Sequence, residues 1–135
     1  MVDVSNPTSP SIAATVGIAA LDVAVAGSLV YVASGRHVGL QIFDVSIPTS
    51  PTAVGNVDFP ERLDAIAVAG SFAYVAAGFA GLQVIDVSNP ASPSLLGGAF
   101  TEESAEGVAV AGSCICIADR FGGLVTVPTQ CAALP

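Results

Sequence analysis

Few side chains in this chain of 135 residues could do chemistry: Cys114, Cys116, Cys131, a single histidine (His37), three arginines and eleven acids. A thiol beside an imidazole makes a nucleophile, because the ring can take the thiol proton. Cys114 and Cys116 alternate with Ile115 and Ile117 in an apolar run, however, and His37 lies far upstream. Zinc on three thiolates would need a fourth ligand, and His37 is again remote. Glu102 and Glu103 with Glu61 could mimic the two carboxylates of a glycosidase, yet no aromatic sugar platform accompanies them. Loop acids in sequence are the plainer reading. No catalytic residue, cofactor or metal ligand is assigned, and an enzyme is not the expected class.

Asp3, Asp44 and Asp86 recur in one setting, each followed by Val-Ser-Asn/Ile-Pro. Such a carboxylate is expected to cap the turn after it by accepting backbone N–H groups. Calcium would also suit oxygen ligands, but one carboxylate per loop is thin and Ile47 replaces Asn in the second copy.

That recurrence extends along the chain. DVSNPTSPS at 3–11 returns as DVSIPTSPT at 44–52 and DVSNPASPS at 86–94. DVAVAGS at 22–28 returns as AIAVAGS at 65–71 and GVAVAGS at 107–113. The tiles are 3–43, 44–85 and 86–127, with a tail at 128–135. A fixed period near forty residues marks units that cannot bury their own apolar faces and must stack on neighbours.

Each tile divides into four short β segments bounded by Gly, Pro, Ser or Asn. They are expected at 11–18, 21–26, 29–34 and 39–45; at 52–58, 63–69, 72–77 and 81–87; and at 94–100, 106–111, 114–118 and 123–127. Residues 1–4 match only the end of such a fourth segment. Val23, Val25, Ile66, Val68, Val108 and Val110 point to one face, and Ala24, Ala26, Ala67, Ala69, Ala109 and Ala111 to the other. Both faces are apolar, so this strand expects a neighbour on each side. Gly27-Ser28, Gly70-Ser71 and Gly112-Ser113 fit tight hairpin turns. The expected fold is all-β: three four-stranded antiparallel β-propeller blades, with a β-solenoid as the competing architecture.

GLQIFDVSIPTSPTAVG at 39–55 and GLQVIDVSNPASPSLLG at 81–97 resemble the LVIVD repeat of propeller proteins, as do 21–33 and 63–78. The resemblance covers 3–127 and implies a β-propeller, frequently in exported or surface proteins, with no common enzymatic activity. CICIAD at 114–119 departs from the aromatic YVA pattern, and Pro128 stands where Asp is expected.

Propellers have 4–8 blades, so three blades leave apolar faces and strand edges open. A head-to-tail homo-oligomer would cover them, as a six-bladed ring of two copies or a filament where the rotation does not close. The expected function is a non-catalytic structural or interaction module that self-associates. The alternative is a closed dimer that binds a polar ligand on its charged rim. A piece cut from a longer propeller is a third reading.

The rim follows from connectivity. Connections after alternate strands emerge at one end, which gathers all three arginines, His37 and eight of the eleven acids. The candidate binding residues are Arg36, His37, Glu61, Arg62, Glu102, Glu103, Asp119 and Arg120. Ordinary solvated loop charges are the competing explanation.

The net charge is −8 and lysine is absent, so nucleic acid and anionic membranes are not expected partners. No apolar stretch reaches the ~18 residues of a membrane helix. Only 10% of residues are charged. A surface so poor in charge suggests an extracellular, cell-surface or assembly-forming protein. Thr8, Ser9, Thr49 and Ser50 sit in Ser/Thr/Pro stretches that resemble O-glycosylated ones, with structural turns as the alternative. Cys114 and Cys116 take the strand positions of Leu29/Phe72 and Tyr31/Tyr74 and are expected to be buried; Cys131 could pair with one of them if the protein is exported.

Overall fold

Residues 1–128 are described in the computed structural model; Cys131 lies outside them. The strands, in order, are β1 (Val2–Asp3), β2 (Ser11–Ile12), β3 (Ala20–Ala26), β4 (Leu29–Ser34), β5 (Leu40–Asp44), β6 (Thr52–Val57), β7 (Ala65–Ala69), β8 (Phe72–Ala76), β9 (Leu82–Asp86), β10 (Ser94–Ala99), β11 (Gly107–Ala111), β12 (Cys114–Ala118) and β13 (Leu124–Pro128). One 3₁₀ turn spans Arg120–Gly122. The strands form antiparallel meanders of four (β3–β6), four (β7–β10), three (β11–β13) and two (β1–β2).

Local chemistry explains the hairpins. Gly27, Gly70 and Gly112 take φ of 61°, 59° and 56° in the two-residue turns between first and second strands. Glycine reaches that region without the Cβ penalty that other residues meet. The longer turns after Asp44 and Asp86 carry proline, which cannot donate to a ladder.

The sheets do not follow the tiles 3–43, 44–85 and 86–127. Asp44 pairs with Thr52 and Asp86 with Ser94, so the strand that opens one tile closes the sheet of the tile before it. Repetition fixes a period but not a phase, and the DVSNP-type link is a hairpin within a sheet rather than a boundary. Three complete four-stranded sheets are also not present among the described residues: the last has three strands. The segment expected at 11–18 is a strand only at Ser11–Ile12, because its partner β1 is two residues long.

The sheets stack face to face. Tyr31, Ala33, Leu40 and Ile42 of the first four-stranded sheet pack against Ile66, Ala73, Val75 and Ile85 of the second. Ala65, Tyr74, Ala76 and Leu82 of the second pack against Ile115 and Ile117 of the third, with Val108 and Val110. Each fully buried aliphatic side chain is worth about 1.5–3 kcal/mol. Residues Ala14, Val16 and Ile18 lie over Val30, Val32 and Phe43 on the outer face of the first sheet. The β3 part of that face stays open: Leu21, Val23 and Val25 are 51%, 53% and 63% exposed.

Candidate functional site: a charged rim that joins the sheets

Connections 35–39, 58–64, 77–81, 100–106 and 119–123 emerge at one end, as alternate links of a meander must. Backbone bonds join neighbouring links. The His37 N–H donates to Phe59 O (3.0 Å), and the Leu63 N–H to Ser34 O (3.0 Å). Gly78 and Ala105 exchange N–H···O bonds of 3.0 and 2.9 Å. His37 and Arg120 sit at φ of 64° and 46°, the left-handed region that costs a side chain energy.

The rim brings the expected residues to one end but pairs them selectively. Arg62 Nε meets Asp64 Oδ1 at 2.7 Å, and Arg120 Nε meets Glu106 Oε1 at 3.5 Å. The Arg120 guanidinium also lies 5.4 Å from the Phe121 ring centroid. Arg36, His37, Glu102 and Glu103 are exposed, and Glu61 is half-buried. Asp119 departs from a solvated rim charge: it is 1% exposed. Its Oδ2 accepts the Glu103 N–H at 3.2 Å, while Oδ1 is buried with no hydrogen-bond partner among the described residues. It follows the apolar β12 at the position of Ser34 and Ala77, both buried, which is why it faces inward. Burial pushes the Asp64 carboxyl above the usual aspartate range; Arg62 opposes this and Glu106 adds to it.

At the opposite end, Asp3, Asp44 and Asp86 accept the N–H of Ser5, Ser46 and Ser88 at 2.8, 2.7 and 2.9 Å. The backbone bond, then the serine hydroxyl, holds Asp3 and Asp44 below the usual range. For Asp86 the Ser88 hydroxyl comes first. Thr8, Ser9, Thr49 and Ser50 are exposed in these turns, and Thr8 Oγ1 donates to Asn6 Oδ1 at 2.8 Å.

Cys114 and Cys116 are half-buried rather than buried. They lie on the outward face of the last sheet, their Sγ atoms 3.9 Å apart. That contact, with burial behind it, pushes the Cys116 thiol up. Ile115 and Ile117, between and after them, take the covered face instead. Among the described residues no three of His, Cys, Asp and Glu converge on a common point.

One polar contact was missed from sequence: Asp22 Oδ2 accepts the Ile66 N–H at 2.9 Å, linking β3 to β7. A signal existed. Asp22 shares the strand face of Ala24, one of the two faces expected to be covered by a neighbour.

A search of curated proteins finds no match. Among solved structures, the computationally designed Ika8 protein superposes with a TM-score of 0.64 at 7% identity, over 78% of this chain and 32% of that one. The designed Ika4 protein superposes with a TM-score of 0.54 at 8% identity, over 86% of this chain and 94% of that one. The chain thus spans about a third of the first design, and both likenesses are of fold alone. The LVIVD repeat matches residues 1–18, 17–59, 63–101 and 103–127, limits that follow the sheets rather than the tiles. With nearly every described residue inside those matches, the chain belongs to the LVIVD repeat family.

Proposed function

We propose that the protein is a non-catalytic structural module, built as propeller blades, that self-associates head to tail through its outer sheet faces and strand edges. The observation that carries this reading is the exposed Leu21, Val23 and Val25. On β7 and β11 the same face, with Ile66 and Val68 or Val108 and Val110, packs against the preceding sheet. The matching surface is the outward face of the last sheet, where Ala109, Ala111 and Leu124 are exposed beside Cys114 and Cys116. Joining the two faces would repeat between chains the packing used twice within one. Exposed apolar patches and open edges favour such association. An extracellular or cell-surface setting is part of the proposal and draws on the 10% share of charged residues.

The second reading is a closed dimer of six blades that binds a polar partner at the rim. It is favoured by the arginines and eight acids gathered at one end. Sedimentation of wild type, Val23→Asp and Val25→Asp tests both. Assembly that the aspartates abolish supports face packing. A uniform two-chain species supports the ring, and an open series of sizes supports a filament. A wild-type monomer at every concentration contradicts both.

A further inference from the structure

We propose that residues 11–18 of one copy form the fourth strand of the β11–β13 sheet of a second copy, a proposal that rests on the self-association above and names its connecting element.

Gly39, Gly81 and Gly123 each precede the third strand of a sheet, since Leu40, Leu82 and Leu124 pair with Ala33, Ala76 and Ala118. Their φ angles are 76°, 76° and 81°. A Cβ on Gly39 would collide with Val57 O, and one on Gly81 with Ala99 O, both carbonyls of a fourth strand. Beside Gly123 nothing among the described residues comes within 4 Å. The backbone keeps the conformation that makes room for a fourth strand, and among the described residues β13 pairs only with β12.

The complementary element lies at the other end of the molecule. Ser11 pairs with Asp3 as Thr52 pairs with Asp44 and Ser94 with Asp86, so β2 is a fourth strand in register. Its own third strand offers two paired positions, where β5 offers five to β6. Between Ile12 and β3 the chain forms no further strand: the Ala13 and Ala14 N–H groups donate to Met1 O (2.7 and 3.4 Å), and the N-terminal amine donates to Ala14 O (2.5 Å). The N–H groups of Thr15 and Val16 donate to no backbone carbonyl there. Transferring the β5–β6 register sets Val127 of the second copy against Ile12 of the first, and likewise Thr126 against Ala14, Val125 against Thr15 and Leu124 against Val16.

The exchange gives up the two-position pairing with β1, and the Met1 bonds to Ala13 and Ala14, for a five-position ladder in which Pro128 against Ser11 is the fifth pair. Backbone pairing to an open edge is a general route to association. It also fits the face packing. Val16 and Ile18 already lie over Val30 and Val32 of their own chain. Seating them on another copy's β13 brings the open Val23 and Val25 towards that copy's Ala109 and Ala111.

Proline at Thr15 or Val16 tests this, because alternate N–H groups of a strand face the same neighbour and one of the two must donate. Wild type, Thr15→Pro, Val16→Pro and Val25→Asp are compared by sedimentation, with far-UV circular dichroism as the check on folding. Amide exchange of Leu124–Val127 is followed in parallel. The expected result is assembly of wild type, and loss of about tenfold or more in association for at least one folded proline variant. Slow exchange at β13 in the wild-type assembly should become fast in that variant. Wild type and both proline variants assembling alike, with Val25→Asp monomeric, would overturn strand donation and leave face packing standing. A monomeric wild type would overturn both. Should the proline variants unfold, wild-type exchange decides: outward β13 amides as fast in the assembly as in dilute monomer overturn the proposal.

Discussion

The carboxylate of Asp22, on the first strand of one sheet, accepts the backbone N–H of Ile66, on the first strand of the next, at 2.9 Å. A side chain here supplies a polar link beside the apolar packing of Tyr31, Ala33, Leu40 and Ile42 on Ile66, Ala73, Val75 and Ile85. Replacing Asp22 by Ala would leave a part-buried N–H without its acceptor. A hydrogen bond to a charged group is worth about 1.5–3 kcal/mol, so Asp22→Ala should lower unfolding free energy by about that amount. Asp22→Asn keeps an acceptor and should lose less. Urea denaturation measures both, and equal losses would contradict the assignment.

The three glycines before the third strands should respond differently to alanine. All three have positive φ, which costs about 1–3 kcal/mol for a side chain. Gly39→Ala and Gly81→Ala add a collision with Val57 O or Ala99 O, while Gly123→Ala adds none among the described residues. The first two should therefore lower the melting temperature of dilute protein more than the third. Equal shifts would mean that the fourth strands yield freely.

Acid should act on the two ends of the molecule with opposite sign. The carboxyls of Asp3, Asp44 and Asp86 are held below their ordinary range. The stability they add is present above the unfolded aspartate value of about 3.9 and is lost as pH falls through their folded values. Asp64 is raised by burial, so its ionisation costs stability once pH rises from the unfolded value through the folded one. At neutral pH, Asp86→Asn should lower the melting temperature and Asp64→Asn should raise it or leave it unchanged. Both differences should shrink below pH ~3. A marked loss for Asp64→Asn at neutral pH would show that the Arg62 pair outweighs burial.

The sequence made the strands legible because the alternation is carried by large and small residues rather than by polar ones. Val23, Ile66 and Val108 on one side and Ala24, Ala67 and Ala109 on the other announce sheets covered on both faces. The glycine turns and the rim followed from the same count. What stayed hidden was the phase of the repeat: Asp44-to-Thr52 and Asp86-to-Ser94 read as boundaries until pairing placed them inside sheets. Asp119 was hidden as well, because a loop acid carries no local sign of burial; its inward position comes from sharing a register with Ser34 and Ala77. Cys114 and Cys116 were correctly aligned with Leu29 and Tyr31, yet alignment could not tell that their face would meet no further sheet among the described residues.

That face offers a chemical probe. In dilute monomer, Cys114 and Cys116 are half-buried and open to alkylation. Under head-to-tail association the same thiols lie against the next copy and should react several-fold more slowly. Peptide mapping of iodoacetamide adducts at low and high protein concentration reads this directly. Rates that do not depend on concentration, in a sample that does assemble, would place the contact elsewhere.

Self-association is tested most directly by the mass of the folded protein in solution across a dilution series, measured by light scattering. Species at multiples of the 13.3 kDa chain should appear and fall to a single chain on dilution, and Val25→Asp should hold at a single chain throughout. A wild-type mass of 13.3 kDa at every concentration, with the apolar β3 face still open to solvent, would contradict it.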